Sequence, residues 1–290
     1  MISRRNFMTL ASLAAGASLI PLTAHRAGAS ADPLVLTAYI NGQTVDRTAV
    51  LQWEARRLKV AAERLSHNLP AALTAELGAL LDDSTGSVEH VAQDRQTLAD
   101  MKLQLGHEAI RDLLAADIAV SSPMSAAAAA MDEWASSKTR LFSSHGTAQG
   151  FMDWFNTRIN RDDQRTMLVA NPDHFLITSP RAGVQEVLEV TGGAMLASQF
   201  FIDYADNTSL PIPRDPLYPV QTAGWARISD GTKIGAVRHQ LRDNPQGGFT
   251  AQLAVSFPAA LPPWMFTEHQ WHLACEFSNW VSAYITSTQP

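Results

Sequence analysis

The stretch TAGWARISDGTKIGAVRHQLRDNPQGGFTAQLAVSFP (residues 222–258) predicts three consecutive strands. Its apolar runs are separated by the turn signals SDGT (229–232) and DNPQGG (243–248). Strands that follow one another through turns this short pair in antiparallel fashion. The segment 264–286 then carries apolar residues at helical spacing and predicts one long helix. An antiparallel sheet whose concave face is covered by a terminal helix is an α+β layer fold, and the cavity between the two layers can hold a small apolar ligand.

Two more strand signals come before this stretch. GVQEVLEVTGG (183–193) and AMLASQFFIDY (194–204) predict a strand pair with a hairpin turn near Gly192-Gly193. The antiparallel sheet is therefore expected to have at least five strands.

Helical signals dominate the first half of the chain. From residue 46 to about residue 120 the apolar residues recur at helical spacing, with an interruption near Gly106. We therefore expect a helical region at 32–135 and a sheet-and-helix domain at 136–290. The helical region is expected to pack on that domain or on a second copy of the chain. A homodimer is therefore one of the expected arrangements.

The N-terminus resembles a twin-arginine signal peptide. SRRNFM (3–8) precedes a weakly hydrophobic run that ends in small residues, with cleavage expected after Ala29 or Ala31. An ordinary secretory signal is the alternative, but the residues around the arginine pair favour the twin-arginine pattern. Residues 1–31 are thus expected to engage the twin-arginine export machinery, which places a mature protein in the periplasm or outside the cell. No later segment predicts a membrane span.

Charge and cysteine content narrow the function classes. A formal net charge of −6, with no cluster of Lys and Arg in the body of the chain, argues against a nucleic-acid surface. The single cysteine, Cys275, excludes an internal disulfide and a cysteine-based zinc knuckle. A metal site would therefore use His, Asp and Glu. The chain has neither a Gly-x-Ser-x-Gly motif nor a Gly-rich loop ahead of a helix, so serine-hydrolase and nucleotide-binding functions lack support.

A candidate half-site lies on the terminal helix in EHQWHLACEFSNW (268–280). His272 and Glu276 are four residues apart and project from one helical face, with Asn279 near the same side. Such a pair can bind a divalent metal, although most pairs of this kind are plain surface neighbours. Apolar residues flank this pair, and a buried glutamate needs a partner to stay charged. The alternative is a hydrogen-bonded pair without metal that lines a ligand cavity.

Three further segments carry candidate groups. His174 follows an Asn-Pro-Asp turn and enters a strand. Glu186 and Glu189 are three residues apart, so in a strand they point to opposite faces and only one of them can face the cavity. His239 lies in the middle of a strand. A histidine in a turn or strand is more often structural than a ligand, so none of these residues is decisive alone.

Taken together, the segments resemble the 2,4-diacetylphloroglucinol hydrolase family, which includes phloretin hydrolases. Over roughly residues 140–285 the motifs run in the family's order, namely GTAQGFMDWF, NPDHFLI, EVTGG, AVRHQLRD, a Gly-rich turn and HLACEFSNW. The resemblance implies a Bet v1-like helix-grip fold for this part, which agrees with the strands and terminal helix derived above.

The resemblance also implies a mononuclear zinc site. Matched motif by motif, its ligands are His174, Glu189, His272 and Glu276, with Glu189 preferred to Glu186 because it directly precedes the glycine-containing turn. Fe²⁺ or Mn²⁺ would also suit this donor set. The implied reaction is hydrolysis of the carbon–carbon bond between an acyl group and a phenolic, phloroglucinol-like ring.

The resemblance assigns further roles around this site. Glu276 and His239 are the expected catalytic residues, with His239 as a general acid/base or as a hydrogen-bond partner of a ring hydroxyl. Trp154, Asn279 and Trp280 are the expected contacts of a small acylphenol-type substrate.

Because of two departures from the family, the resemblance does not fix the identity of the substrate. The connection between His174 and Glu189 is short beside the family's, and the tyrosines of the family's pocket have no clear counterparts among the four in this chain. A non-catalytic binding protein for a small hydrophobic ligand is one alternative function. A metal hydrolase that acts on an ester or a lactone is the other.

Overall fold

A computed structural model describes residues 33–66, 69, 77–78, 80 and 88–288. The expected signal peptide at 1–31, with its two cleavage sites, lies outside these residues. Of the helices that the structure describes, none combines the length and apolar character needed to span a bilayer.

An antiparallel sheet of nine strands organises the described part of the chain in the order β2-β1-β3-β9-β8-β7-β6-β5-β4. The expectation of three adjacent strands over 222–258 is confirmed by β7, β8 and β9, which pair consecutively. The strands are β1 Leu36–Ile40, β2 Gln43–Asp46, β3 Trp134–Ser143, β4 His174–Arg181, β5 Val184–Glu189, β6 Ser198–Asp203, β7 Val220–Arg227, β8 Lys233–Asp243 and β9 Phe249–Pro258.

Five α-helices whose bounds the structure describes accompany the sheet. The long terminal helix expected at 264–286 is confirmed and is α5. The second helix bends at Gly106, which has φ 79° and ψ 168° and marks the expected interruption. The helices are α1 Arg47–Ser66, α2 Val91–Ala129, α3 Ala148–Asn160, α4 Gln164–Val169 and α5 Pro263–Thr288.

The region expected to be helical at 32–135 also contributes strands. β1 and β2 form a hairpin around Asn41-Gly42, both with positive φ, and β1 pairs with β3. An Asn-Gly step between short apolar runs is a strong hairpin signal that the helical interpretation passed over. Leu34–Pro290 form one compact unit, and β3 runs across residue 135.

β5 and β6 pair as expected, but not through a tight hairpin at Gly192-Gly193. Residues 190–197 connect the two strands, and they begin with a 3₁₀ turn at Thr191–Gly193. Gly192 has φ 55°, and a Cβ there would lie 2.8 Å from the Met265 carbonyl oxygen and 2.9 Å from Cβ of His269. The glycine therefore lets the turn after β5 approach the backbone of α5 closely.

Two buried clusters hold the layers together. In the first, the ring of Phe151 in α3 lies 5.7 Å from that of Phe249 in β9 and 6.1 Å from that of Phe277 in α5. In the second, residues of α1 and α2 such as Leu98 pack with residues of β4 and β5 such as Leu188. Because β5 is covered on both sides, all six of its residues are buried.

We predict that Gly192→Ala lowers the free energy of unfolding by about 2–4 kcal/mol, because positive-φ strain adds to a steric clash. Gly183→Ala is the matched control. Gly183 has φ 75° but open space around its Cβ position, so about 1 kcal/mol is expected there. Urea denaturation measures both variants, and equal losses would contradict the close approach to α5.

Candidate metal centre

Sheet register brings the first pair of candidate ligands together. His174 is the first residue of β4 and Glu189 is the last residue of β5, and the two are direct partners across the antiparallel pair. Because His174 and Glu189 pair across a hairpin, the connection between them in the sequence has to be short. Glu186, the other candidate, points elsewhere, and its carboxylate pairs with Arg111 of α2 at 2.8 Å.

The terminal helix supplies the second pair. Nε2 of His174 lies 3.6 Å from Oε2 of Glu189 and 3.2 Å from Oε2 of Glu276. Nε2 of His272 lies 3.7 Å from each of the same two oxygens. His174, Glu189 and His272 form a buried group that can hold a metal ion. Ligand atoms bound tetrahedrally to an ion at about 2.0–2.2 Å lie about 3.3–3.6 Å apart, and the four separations in this cluster, 3.2–3.7 Å, are close to that range.

Hydrogen bonds to the atoms that face away from the cluster orient the side chains of His174 and Glu189. Nδ1 of His174 donates to the carbonyl oxygen of Met167 at 3.0 Å, which leaves the Nε2 lone pair for the site. The Thr191 hydroxyl donates to Oε1 of Glu189 at 2.8 Å, which leaves Oε2 facing the two imidazoles. The 3₁₀ turn that Gly192 permits thus also positions a ligand.

Burial makes the site receptive to a cation. Burial raises the pKa of Glu189 to about 7 and the pKa of Glu276 well above its ordinary value. Burial also lowers the pKa of His174 and of His272, so both imidazoles favour the neutral form that binds metal. The ion-pair contacts that the structure shows for the two glutamates are with these histidines alone. A divalent ion would therefore stabilise both carboxylates in their charged form.

Helices α1 and α2 hold the turn that leads into His174. Arg57 of α1 donates two parallel hydrogen bonds to the Asp173 carboxylate, at 2.7 and 2.9 Å. Burial raises the pKa of Asp173, and the Arg57 guanidinium opposes that rise. Nζ of Lys102 in α2 donates to the carbonyl oxygens of Pro172 at 2.7 Å and His174 at 2.5 Å. Nδ1 of His272 lies 3.9 Å from the Asp173 carboxylate, too far for a hydrogen bond, and it has no hydrogen-bond partner within the described residues.

The sequence analysis did not identify these supporting residues in the N-terminal helices. Arg57 and Lys102 stand in ordinary amphipathic helices, more than 70 positions before most of the groups that they contact. Local sequence carries no signal for such a pairing, because the partners meet only when the helices pack on β4.

A cavity of about 600 Å³ opens from the ligand cluster. His239 and Trp280 line it, as expected for residues with a role toward a ligand. The His239 ring packs edge-on against Phe277 at 4.8 Å, and burial lowers the His239 pKa to about 3. Its Nδ1 is buried and has no hydrogen-bond partner within the described residues. A neutral imidazole with a free ring nitrogen is suited to a hydrogen bond with a ligand.

Two expected substrate contacts lie elsewhere. Trp154 of α3 stacks on Phe151 and is not part of the cavity wall. The Asn279 amide donates to the Ala170 carbonyl at 2.8 Å and its oxygen accepts from Arg95 at 2.6 Å, next to the buried Glu54. Asn279 thus joins a buried polar network between α5 and the N-terminal helices.

Two cavity residues were missed. The His269 ring stacks on that of His272 at 5.2 Å with an 8° angle between planes, and burial lowers its pKa to about 3. The positions 269, 272 and 276 share one helical face, but only the packing of α5 shows that this face meets the cavity. Tyr204 also lines the cavity, and its hydroxyl donates to Gln185 at 2.9 Å.

Comparison with family models, with curated proteins and with solved structures finds no match for this chain.

We predict that Arg57→Met lowers the free energy of unfolding by about 3–5 kcal/mol, because it leaves the buried Asp173 carboxylate without its partner. It should also weaken zinc binding by about 10–100-fold, as loss of an outer-shell partner does. The neighbouring Arg56→Met is the control, since Arg56 is exposed, and a change within about 0.5 kcal/mol is expected. Chemical denaturation and competition with a zinc chelator measure both, and equal effects of the two variants would refute the supporting role.

We predict that His239 makes the metal-free protein sensitive to acid. Its folded-state pKa of about 3 lies below the unfolded value, so the unfolded chain binds more protons and stability falls as pH falls below about 6.5. When the pH is lowered from 6.5 to 5, the free energy of unfolding should fall by about 2 kcal/mol less in His239→Gln than in the unmodified protein. Parallel stability curves for the two proteins, measured in chelator by urea denaturation, would contradict a buried neutral His239.

Proposed function

We propose that this protein is a metal-dependent hydrolase that cleaves the carbon–carbon bond between an acyl group and a phenolic, phloroglucinol-like ring. The observation that carries the proposal is the convergence of two imidazoles and two carboxylates in the lining of a largely apolar cavity. His174, Glu189, His272 and Glu276 are the proposed ligands. Zinc is the proposed ion, with Fe²⁺ or Mn²⁺ as alternatives.

The order of elements supports a Bet v1-like helix-grip fold. The strands from β3 onward run β3-β9-β8-β7-β6-β5-β4 across the sheet, with α3 and α4 inserted between β3 and β4 and the long α5 last. β1 and β2 then extend the β3 edge of the sheet. In such a fold the ligand occupies the space between the sheet and the long helix, which is where the cavity lies.

The cavity residues support hydrolysis of a ligand that is mostly apolar. A zinc ion held by the four ligands would supply a Lewis acid and an activated water. Hydrolysis places the water's hydroxyl on the acyl carbon and its second hydrogen on the ring carbon. His239 stays neutral because of its burial, so it is proposed to hydrogen-bond a ring hydroxyl and hold the ring in place rather than to serve as an acid. Glu276, which α5 contributes to the cavity lining, is proposed as the second catalytic residue.

We predict that His272→Gln removes the metal and the activity together. Loss of an inner ligand should weaken zinc binding by more than about 100-fold, since outer-shell losses alone cost about 10–100-fold. His107→Gln is the control, because His107 lies on α2 against Gln164 and away from the cluster. Elemental analysis gives the zinc content, and release of acetate from monoacetylphloroglucinol gives the activity.

The outcomes separate the candidate functions. Full zinc content in His272→Gln would refute the ligand assignment. Zinc binding without acetate release, together with cleavage of an aryl ester, would point to an ester or lactone hydrolase. Tight binding of the phenol without any cleavage would point to a binding protein, which the apolar cavity also suits.

A further inference from the structure

The lining of the cavity divides into two kinds of residue. The polar part is the ligand cluster together with His239, His269 and Tyr204. The rest is mostly apolar, and it includes Val187, Phe200, Ile202, Val237, Val255 and Leu261. A ligand that fills the whole cavity therefore needs a polar head at the cluster and an apolar body beyond it.

The opening of the cavity is formed by apolar side chains that are exposed to solvent. Met195 is 83% exposed, Met124 is 63% exposed and Trp264 is 47% exposed, yet all three line the cavity. They come from three separate segments, the loop before β6, the last part of α2 and the first turn of α5. Exposed apolar groups that converge on one cavity mark a binding surface rather than scattered surface residues.

The size of the cavity and the type of residue at its opening indicate which apolar body fits. At about 600 Å³ it falls within the range of about 300–1,000 Å³ that holds drug-sized ligands, and a single ring with a short acyl group leaves much of it unfilled. Methionine side chains are unbranched and flexible, so they adapt to a chain that changes its own conformation.

We infer that the ligand of this cavity carries a flexible hydrocarbon chain that runs from the metal centre to the opening between Met124, Met195 and Trp264. The identity of the head, a phenolic ring, rests on the proposed function. The chain itself is inferred from the apolar walls and the exposed opening. The substrate class is then a long-chain acylphenol rather than an acetylated one.

The experiment measures binding of 4-alkylresorcinols with ethyl, butyl, hexyl and octyl chains to the zinc-loaded protein. These probes have no acyl carbonyl, so they are not cleaved. Burial of a methylene group contributes enough to tighten binding by up to about fourfold, so we expect about a two- to fourfold gain per methylene. Isothermal titration calorimetry gives the affinities.

Two variants locate the chain. Met124→Lys and Met195→Lys should each remove most of the gain for the hexyl and octyl probes and leave the ethyl probe unchanged. Met131→Lys is the matched control, because Met131 is 62% exposed but lies outside the cavity lining. Affinity that does not depend on chain length, or an equal effect of Met131→Lys, would overturn the inference.

Release of octanoate from octanoylphloroglucinol, measured beside release of acetate from monoacetylphloroglucinol with the same preparations, keeps the two proposals apart. Hydrolysis with no chain-length dependence would refute the hydrocarbon chain and leave the hydrolase standing. Chain-length dependence without hydrolysis would refute the hydrolase and leave the hydrocarbon chain standing.

Discussion

The antiparallel pairing of β4 with β5 is the constraint on which the candidate site depends. It places His174 directly opposite Glu189, and the turn after β5 brings α5 close enough for His272 and Glu276 to complete the cluster. A shift of one residue in this pairing would send one of the two strand ligands to the other face of the sheet. Register therefore matters here for chemistry as well as for packing.

The N-terminal helices pack against the side of the site that faces away from the cavity. Residues from both halves of the chain therefore contribute to the site. The Arg57–Asp173 pair and Lys102 occupy the side of the turn that faces away from the cavity. Taking a carboxylate and an ammonium group out of water is costly, and such groups persist where hydrogen bonds satisfy them. Here they fix the backbone of the turn from which a ligand projects. Rigid support of this kind is what a metal site needs for its ligands to stay in position.

Sequence patterns predicted the elements of the C-terminal half well. Alternating apolar residues and the Asp-Gly and Gly-Gly turn signals marked β7, β8 and β9, and helical spacing marked α5 to within two residues at each end. The interpretation was weaker where an Asn-Gly hairpin stood beside a long helical pattern. The i, i+4 spacing of His272 and Glu276 was readable because both lie on one helix. His269 needed the structure, because only packing shows which side of a helix faces a cavity.

By itself, the sequence determined the element types of the C-terminal half, the antiparallel order of the later strands and the chemistry available to a metal site, since those depend on local spacing and residue type. Only the tertiary structure decided that Glu189 rather than Glu186 faces the cluster, that Asn279 and Trp154 lie away from the cavity, and that α1 and α2 support the site. These outcomes depend on contacts between residues far apart in the chain. Such contacts are set by register and by the packing of layers, which no local pattern encodes.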